Sequence, residues 1–204
     1  MRTFAVFGNR ERGASLIVAL IMLIAVLWLG MSSARMALQG EKLARNERDR
    51  QIALQAAEAA LLDAETDIES SPDAGRSRSN LFARDRTEGF AEGCAAGEDN
   101  RFLGLCMRAP DDMPVWAAVD FLADGANMRA VPYGHFTGRS FQAGEGSMPA
   151  RAPRYVIELM PFNMSGEDTT NDGITYFYRI TAIGFGTRES TQVVLQTFYR
   201  KYAS

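Results

Sequence analysis

An apolar run from Ala14 to Met31, broken only by Ser15 and Gly30, follows a short leader that carries Arg2, Arg10, Glu11 and Arg12. Charged side chains enter hydrocarbon only at high cost, whereas the run holds Leu16, Ile17, Val18, Leu20, Ile21, Leu23, Ile24, Val26, Leu27 and Trp28, so the Gly13-Ala14 boundary is sharp. At about 18 residues the run predicts a helix of roughly 27 Å, enough to cross the hydrocarbon of a bilayer. A cleaved secretory signal has an apolar core of only about 7 to 15 residues ahead of a small-residue site. Ser32-Ser33-Ala34 offers such a site, but Arg35 follows at once and the run is too long, so a retained segment is expected. Basic residues beyond the run (Arg35, Lys42, Arg45, Arg48, Arg50) outnumber those before it, so charge alone does not fix the orientation.

No proline appears before Pro72, and the helical pattern continues past the apolar run. Glu41 with Arg45, and Arg45 with Asp49, stand at i,i+4, a spacing that supports a solvated helix. Ile52, Ala56, Ala60, Ala64 and Ile68 then recur every four residues, flanked by Ala53, Ala57 and Leu61, with Glu58, Asp63 and Glu65 expected elsewhere around the helix. This small-residue stripe predicts close packing on the chain's own globular part. Ser70-Ser71-Pro72-Asp73-Ala74-Gly75 ends the pattern, giving a helix of roughly 58 residues and about 87 Å.

Three later segments read as strands: Arg154 to Met160, Ile174 to Ile183 and Thr191 to Tyr199, each rich in aromatic or β-branched residues. Gly184-Phe185-Gly186-Thr187-Arg188 predicts a hairpin between the last two, with glycine supplying positive φ. Asp111-Asp112-Met113-Pro114 reads as the start of a short helix that would carry Trp116 into the core. The stretch from Gly125 to Pro153 reads mostly as loop. The expected class is α+β: a long N-terminal helix, its first half apolar enough for a membrane, laid on an antiparallel sheet of at least three strands.

The chain has 204 residues and a net charge of −3. That balance gives no case for nucleic-acid binding, and the arginines at 76, 78, 84 and 86, interrupted by Asp85 and Glu88, read as a solvated loop. Cys94 and Cys106 are the only cysteines. An oxidising compartment would join them, and closing a loop of that size is worth about 3 kcal/mol in the chain-entropy model. Two thiols without nearby histidines do not make a zinc site. His135, the only histidine, has no nucleophile motif beside it and reads as structural. Asp168, Asn171 and Asp172 are oxygen donors in a Gly-rich turn; they are weak calcium candidates because the spacing is not that of an EF-hand. No cofactor is expected, and no nucleophile elbow, zinc signature or phosphate loop suggests an enzyme.

The basic leader ending in Gly13, the helix opening Ala14-Ser15-Leu16-Ile17-Val18, and the stretch Arg48-Asp49-Arg50-Gln51-Ile52-Ala53-Leu54-Gln55-Ala56-Ala57-Glu58-Ala59-Ala60-Leu61 together resemble the PilX-type minor pilins of type IV pili. Gly104-Leu105-Cys106 is also similar to that family. The resemblance implies a pilin-like fold and four segments: a leader over 1–13, a transmembrane and assembly half of the helix over 14–33, an amphipathic half over 34–71, and a periplasmic globular domain over 72–204. It also implies cleavage between Gly13 and Ala14 by prepilin peptidase, and N-methylation of Ala14. Major pilins resemble one another in carrying a glutamate at the fifth mature position, where it offsets the N-terminal ammonium of a neighbouring subunit; here that position is Val18. A tip subunit has no neighbour ahead of it, so Val18 implies tip placement.

The implied function is a minor pilin that primes assembly at the inner membrane and then sits at the extracellular pilus tip, contributing to adhesion and twitching motility. Its implied partners are other minor pilins, the major pilin, a PilY-type tip adhesin, prepilin peptidase and the inner-membrane assembly platform. A minor pseudopilin of type II secretion and a single-pass membrane protein with a periplasmic enzyme or sensor domain are the alternatives. Within the helix, Gly30 and Gly40 each cost about 1 kcal/mol relative to alanine. Hydrogen-exchange protection in the assembled state is therefore expected to fall first around these glycines, and earlier loss elsewhere in the helix would refute this.

Overall fold

The computed structural model describes residues 14–83, 86–109, 113–162 and 175–201. The chain forms two compact units, Met1–Glu47 and Arg48–Ser204. One helix, α1, runs from Ala14 to Glu69 over 56 residues and belongs in part to each. It ends where expected. The Ser70 N–H donates to the Thr66 carbonyl at 3.0 Å, and beyond Pro72 the Asp73 carboxylate accepts from the Gly75 N–H at 3.0 Å, turning the chain away.

In the first unit every described side chain of α1 is exposed. An 18-residue stretch there has a mean hydropathy of 2.5 and none of it is buried, a length and composition suited to a membrane. Farther along, Arg45 pairs with Glu41 at 2.5 Å across one helical turn.

In the second unit the alanine stripe faces inward as its spacing predicts: Ala53, Ala56, Ala57, Ala60, Ala64 and Ile68 are all buried, while Ile52 is half-buried. They pack on a five-stranded sheet made of β1 (Leu105–Met107), β2 (Val131–Pro132), β3 (Arg154–Phe162), β4 (Thr175–Phe185) and β5 (Gln192–Tyr199). The three long strands fall where alternation places them and pair antiparallel, Ile157 opposite Ile180 and Ala182 opposite Leu195. The sheet is nevertheless mixed. β1 runs parallel to β3, with Leu105 opposite Ile157, and β2 pairs antiparallel with the same edge of β3, with Val131 opposite Tyr155. Strands of three and two residues are too short to show a two-residue period, so the sequence pattern missed both.

The β4–β5 hairpin forms, but its glycines do a different job from the one expected. Neither Gly184 nor Gly186 has a positive φ. A Cβ on Gly184 would run into the Ala53 carbonyl oxygen and come within 3.0 Å of the Ala57 Cα, and one on Gly186 would come within 2.9 Å of Asp49. Both glycines are there because the helix backbone lies directly against the strand.

Each face of the sheet has a core. Tyr155, Ile157, Leu159, Tyr178, Ile180 and Ala182 pack under α1 with Phe82, Phe90 and Leu103. Val156, Ile183 and Phe185 point the other way, covered by Cys94, Cys106, Val115, Val119 and Phe121. The short helix expected near Trp116 is a single 3-10 turn, Val115–Ala118, and Trp116 is half-buried against this second core instead of inside it. Asp111 and Asp112 lie outside the described residues. Gly184→Ala is expected to lower stability by about 1–3 kcal/mol in denaturant unfolding, because the helix must shift to admit the methyl group. Gly40→Ala meets nothing within 4 Å and should be neutral or stabilising. Equal effects of the two would refute the close-approach account.

Candidate functional site

Two surfaces of α1 carry the chemistry of this chain: an uncovered apolar one and a polar, buried one. On the first, Leu16, Ile17, Leu20, Ile21 and Trp28 stand exposed on a helix whose backbone is internally bonded, the state suited to exchanging lipid contacts for helix contacts. Val18 is among them at 55% exposure. No carboxylate lies among the described residues of this run; Ala14 opens the helix, while Gly13 lies outside the described residues. The Ser33 hydroxyl is returned to the Leu29 carbonyl at 3.0 Å, so it adds no free polar group at the end of the run.

On the second surface, three aspartates share the face of the alanine stripe. Among the described residues, Asp49 is the first buried one along the helix. Its carboxylate accepts from the Thr187 N–H and hydroxyl, from the Thr191 hydroxyl, and from Arg188 at 3.5 Å. Burial alone would raise the Asp49 carboxyl, but the Thr191 and Thr187 donors and Arg188 outweigh it and hold it below the usual carboxylate value. The hairpin turn is thereby fastened to the helix.

Asp63 was expected on an outer face, yet it is fully buried. It accepts from the Gly134 N–H at 2.8 Å and the Thr137 hydroxyl at 2.5 Å. Desolvation exceeds the effect of these two donors, so its carboxyl is raised.

Asp67 pairs with Arg78, and both side chains are 0% exposed. The Arg78 Nε lies 3.0 Å from both carboxylate oxygens and a terminal nitrogen lies 2.6 Å from one of them. The other terminal nitrogen donates to the carbonyls of Leu103 at 2.7 Å and Arg101 at 3.2 Å, and the guanidinium lies 3.6 Å from the Phe136 ring centre. The Tyr155 hydroxyl completes the cluster, donating to Asp67 at 2.9 Å; burial, then the Asp67 charge, push its phenol well above the ordinary range. The expected solvated arginine loop is thus overturned at Arg78. The signal that could have marked these residues was Asp49, Asp63 and Asp67 falling in phase with Ala53, Ala56 and Ala60.

Cys94 and Cys106 form the expected disulfide, with Cα atoms 4.0 Å apart. Both are buried, and the bridge holds β1 and the turn before it against the second core. His135 sits half-buried and edge-on to Phe136 at 4.6 Å; burial, then Arg78 and Arg76, lower its pKa and favour the neutral ring. Asp168, Asn171 and Asp172 lie outside the described residues. Among the described residues no group of three or more His, Cys, Asp or Glu is placed to hold a metal ion.

Two family models match the chain: PilX N-terminal over residues 12–62, and Type IV pilus assembly protein PilX C-term over residues 102–201. The first spans the apolar run, Asp49 and most of the alanine stripe; the second spans all five strands and Cys106. No curated protein and no solved structure matches.

Asp67→Asn and Arg78→Met each leave a buried charge without its partner, and each is expected to cost about 3–5 kcal/mol in urea unfolding. Asp63→Asn can keep the Gly134 bond on its carbonyl oxygen and donate from its amide to the Thr137 hydroxyl oxygen, so it should behave oppositely. The raised Asp63 carboxyl binds its proton more tightly in the folded chain, so its contribution is complete below the ordinary value of 3.8 and is lost as pH rises through the folded value. Asp63→Asn should remove that loss and match or exceed the wild type at neutral pH; a loss there as large as that of Asp67→Asn would overturn the assignment.

Proposed function

The chain belongs to the PilX family of type IV pilus assembly proteins, and on that premise we propose that it primes filament assembly and occupies the pilus tip. As a member of this family it is a minor pilin, a structural component that interacts with other pilins. Its apolar helix suits it to membrane anchoring.

The observation that carries the tip assignment is Val18, an exposed apolar side chain where the filament-forming pilins it resembles place a glutamate. A subunit inside the filament would present no carboxylate to the ammonium of its neighbour and would leave that charge unpaired in an apolar bundle. At the end of the filament no such neighbour exists. In this reading prepilin peptidase cuts between Gly13 and Ala14, Ala14 is N-methylated, and the globular unit faces the periplasm before assembly. The subunit then associates at the inner-membrane assembly platform with other minor pilins and with a PilY-type adhesin, and the major pilin polymerises beneath it.

Mass spectrometry of the native N-terminus is expected to give a chain beginning at methylated Ala14; an intact Met1 would sink the processing step. Labelled subunits on sheared filaments should lie at one end, and Val18→Glu should spread them along the shaft. Wild-type label distributed along the whole filament would overturn tip placement.

A further inference from the structure

β5 ends the sheet, and among the described residues nothing pairs with its outer edge. Sheet edges are normally protected by lysine, proline, a bulge or a covering segment. Its eight residues, Gln-Val-Val-Leu-Gln-Thr-Phe-Tyr, contain no charge and no proline, and their register with β4 runs unbroken from Tyr199 opposite Tyr178 to Gln192 opposite Phe185. Lysine, proline and a bulge are all missing from a strand long enough to template another, and among the described residues no strand covers it.

The sheet face turned away from α1 adds a second observation at the same edge. Val194 and Phe198 are 40% and 64% exposed there. Phe198 packs on Phe177 at 5.8 Å, and Phe177 on Phe162 at 6.1 Å. These three rings, with Tyr199 and Arg200, line an apolar recess of about 220 Å³. The third observation is charge. Arg179 on the same face is neutralised by a bidentate pair with Glu158, whereas Arg200 has no carboxylate partner among the described residues: its guanidinium lies 4.4 Å from the Phe162 ring centre, and its Nε is buried with no acceptor among them. An arginine laid on a ring keeps its fork for a carboxylate.

We propose that β5 is a docking edge, which takes an extended segment of a partner polypeptide as a sixth strand, one apolar side chain of it filling the Phe162–Phe177–Phe198 recess and one carboxylate meeting Arg200. Backbone pairing supplies the affinity, and the recess and Arg200 supply the choice of partner. The inference rests on the sheet edge alone, so its failure would leave the place of the subunit in the filament untouched, and the reverse also holds.

The test is fluorescence anisotropy with the full chain in detergent micelles and labelled eight-residue peptides of alternating valine and threonine ending in glutamate. The glutamate peptide should bind, and its lysine-ended counterpart and a version N-methylated at alternate amides should bind at least about tenfold more weakly. Phe198→Asp and Arg200→Gln, each checked for an unchanged thermal melt, should weaken the glutamate peptide by a similar factor. Amide exchange along β5 should slow when that peptide is bound. No binding at about 1 mM peptide, equal binding of the N-methylated version, or unchanged binding by either variant would overturn the proposal.

Discussion

The ion pair between Asp67 and Arg78 is the constraint on which the second unit depends. Burying two full charges is unfavourable unless every donor and acceptor is answered, and here the answers come from far apart in the chain. Asp67 belongs to the last turns of α1, Arg78 to the segment after the helix, the carbonyls of Arg101 and Leu103 to the turn inside the disulfide loop, and the Tyr155 hydroxyl to β3. Four segments without a common local structure must converge before the pair is satisfied. Any arrangement that leaves one of them out strands a buried charge, which restricts the unit to a single way of closing.

The remainder of the helix interface follows from how close that pair requires α1 to be. Alanine at 53, 56, 57, 60 and 64 leaves room for the sheet, and glycine at 184 lets strand backbone meet helix backbone without an intervening side chain. At such a distance the helix buries no large apolar group along the stripe until its end, where Ile68 fills the core, while Leu61 packs only partly buried against it. Hydrogen bonds accepted by Asp49 and Asp63 take over part of the fastening that bulk would otherwise provide. The same closeness explains why the larger apolar volume of that core comes from Phe82, Phe90, Leu103 and Tyr178, supplied by segments beside and beneath the helix.

What could be read from the chain beforehand was whatever repeats. The apolar run, the four-residue alanine stripe and the three long strands each extend over enough positions for a period to show, and all were placed correctly. What could not be read depended on single positions whose meaning comes from distant partners. Asp63 looks like any helix-surface carboxylate until Gly134 and Thr137 are brought to it, and Arg78 looks like one of a solvated group until Asp67 and Phe136 enclose it. Gly184 and Gly186 carry a turn-forming composition, yet their role is to give clearance. Likewise β1, three residues long and parallel to β3, exists because the disulfide loop delivers it to that edge. The residue types were visible in the sequence, but the tertiary proximity that defines them was not.

The contact between Gly184 and Ala53 bears on how the chain comes into being. Translation makes the helix well before the strand that receives it. Ala53, Ala57 and Asp49 are therefore complete and unclaimed until β4 and the hairpin turn emerge, Thr187 following Asp49 by 138 residues. No fragment that stops short of β4 can close over this part of the helix, because its receptor does not yet exist. Until those strands appear, the stretch of nascent helix around Ala53 has to be kept from the wrong neighbours, because a pairing between parts so far apart in the chain forms slowly and leaves its surfaces exposed until it does.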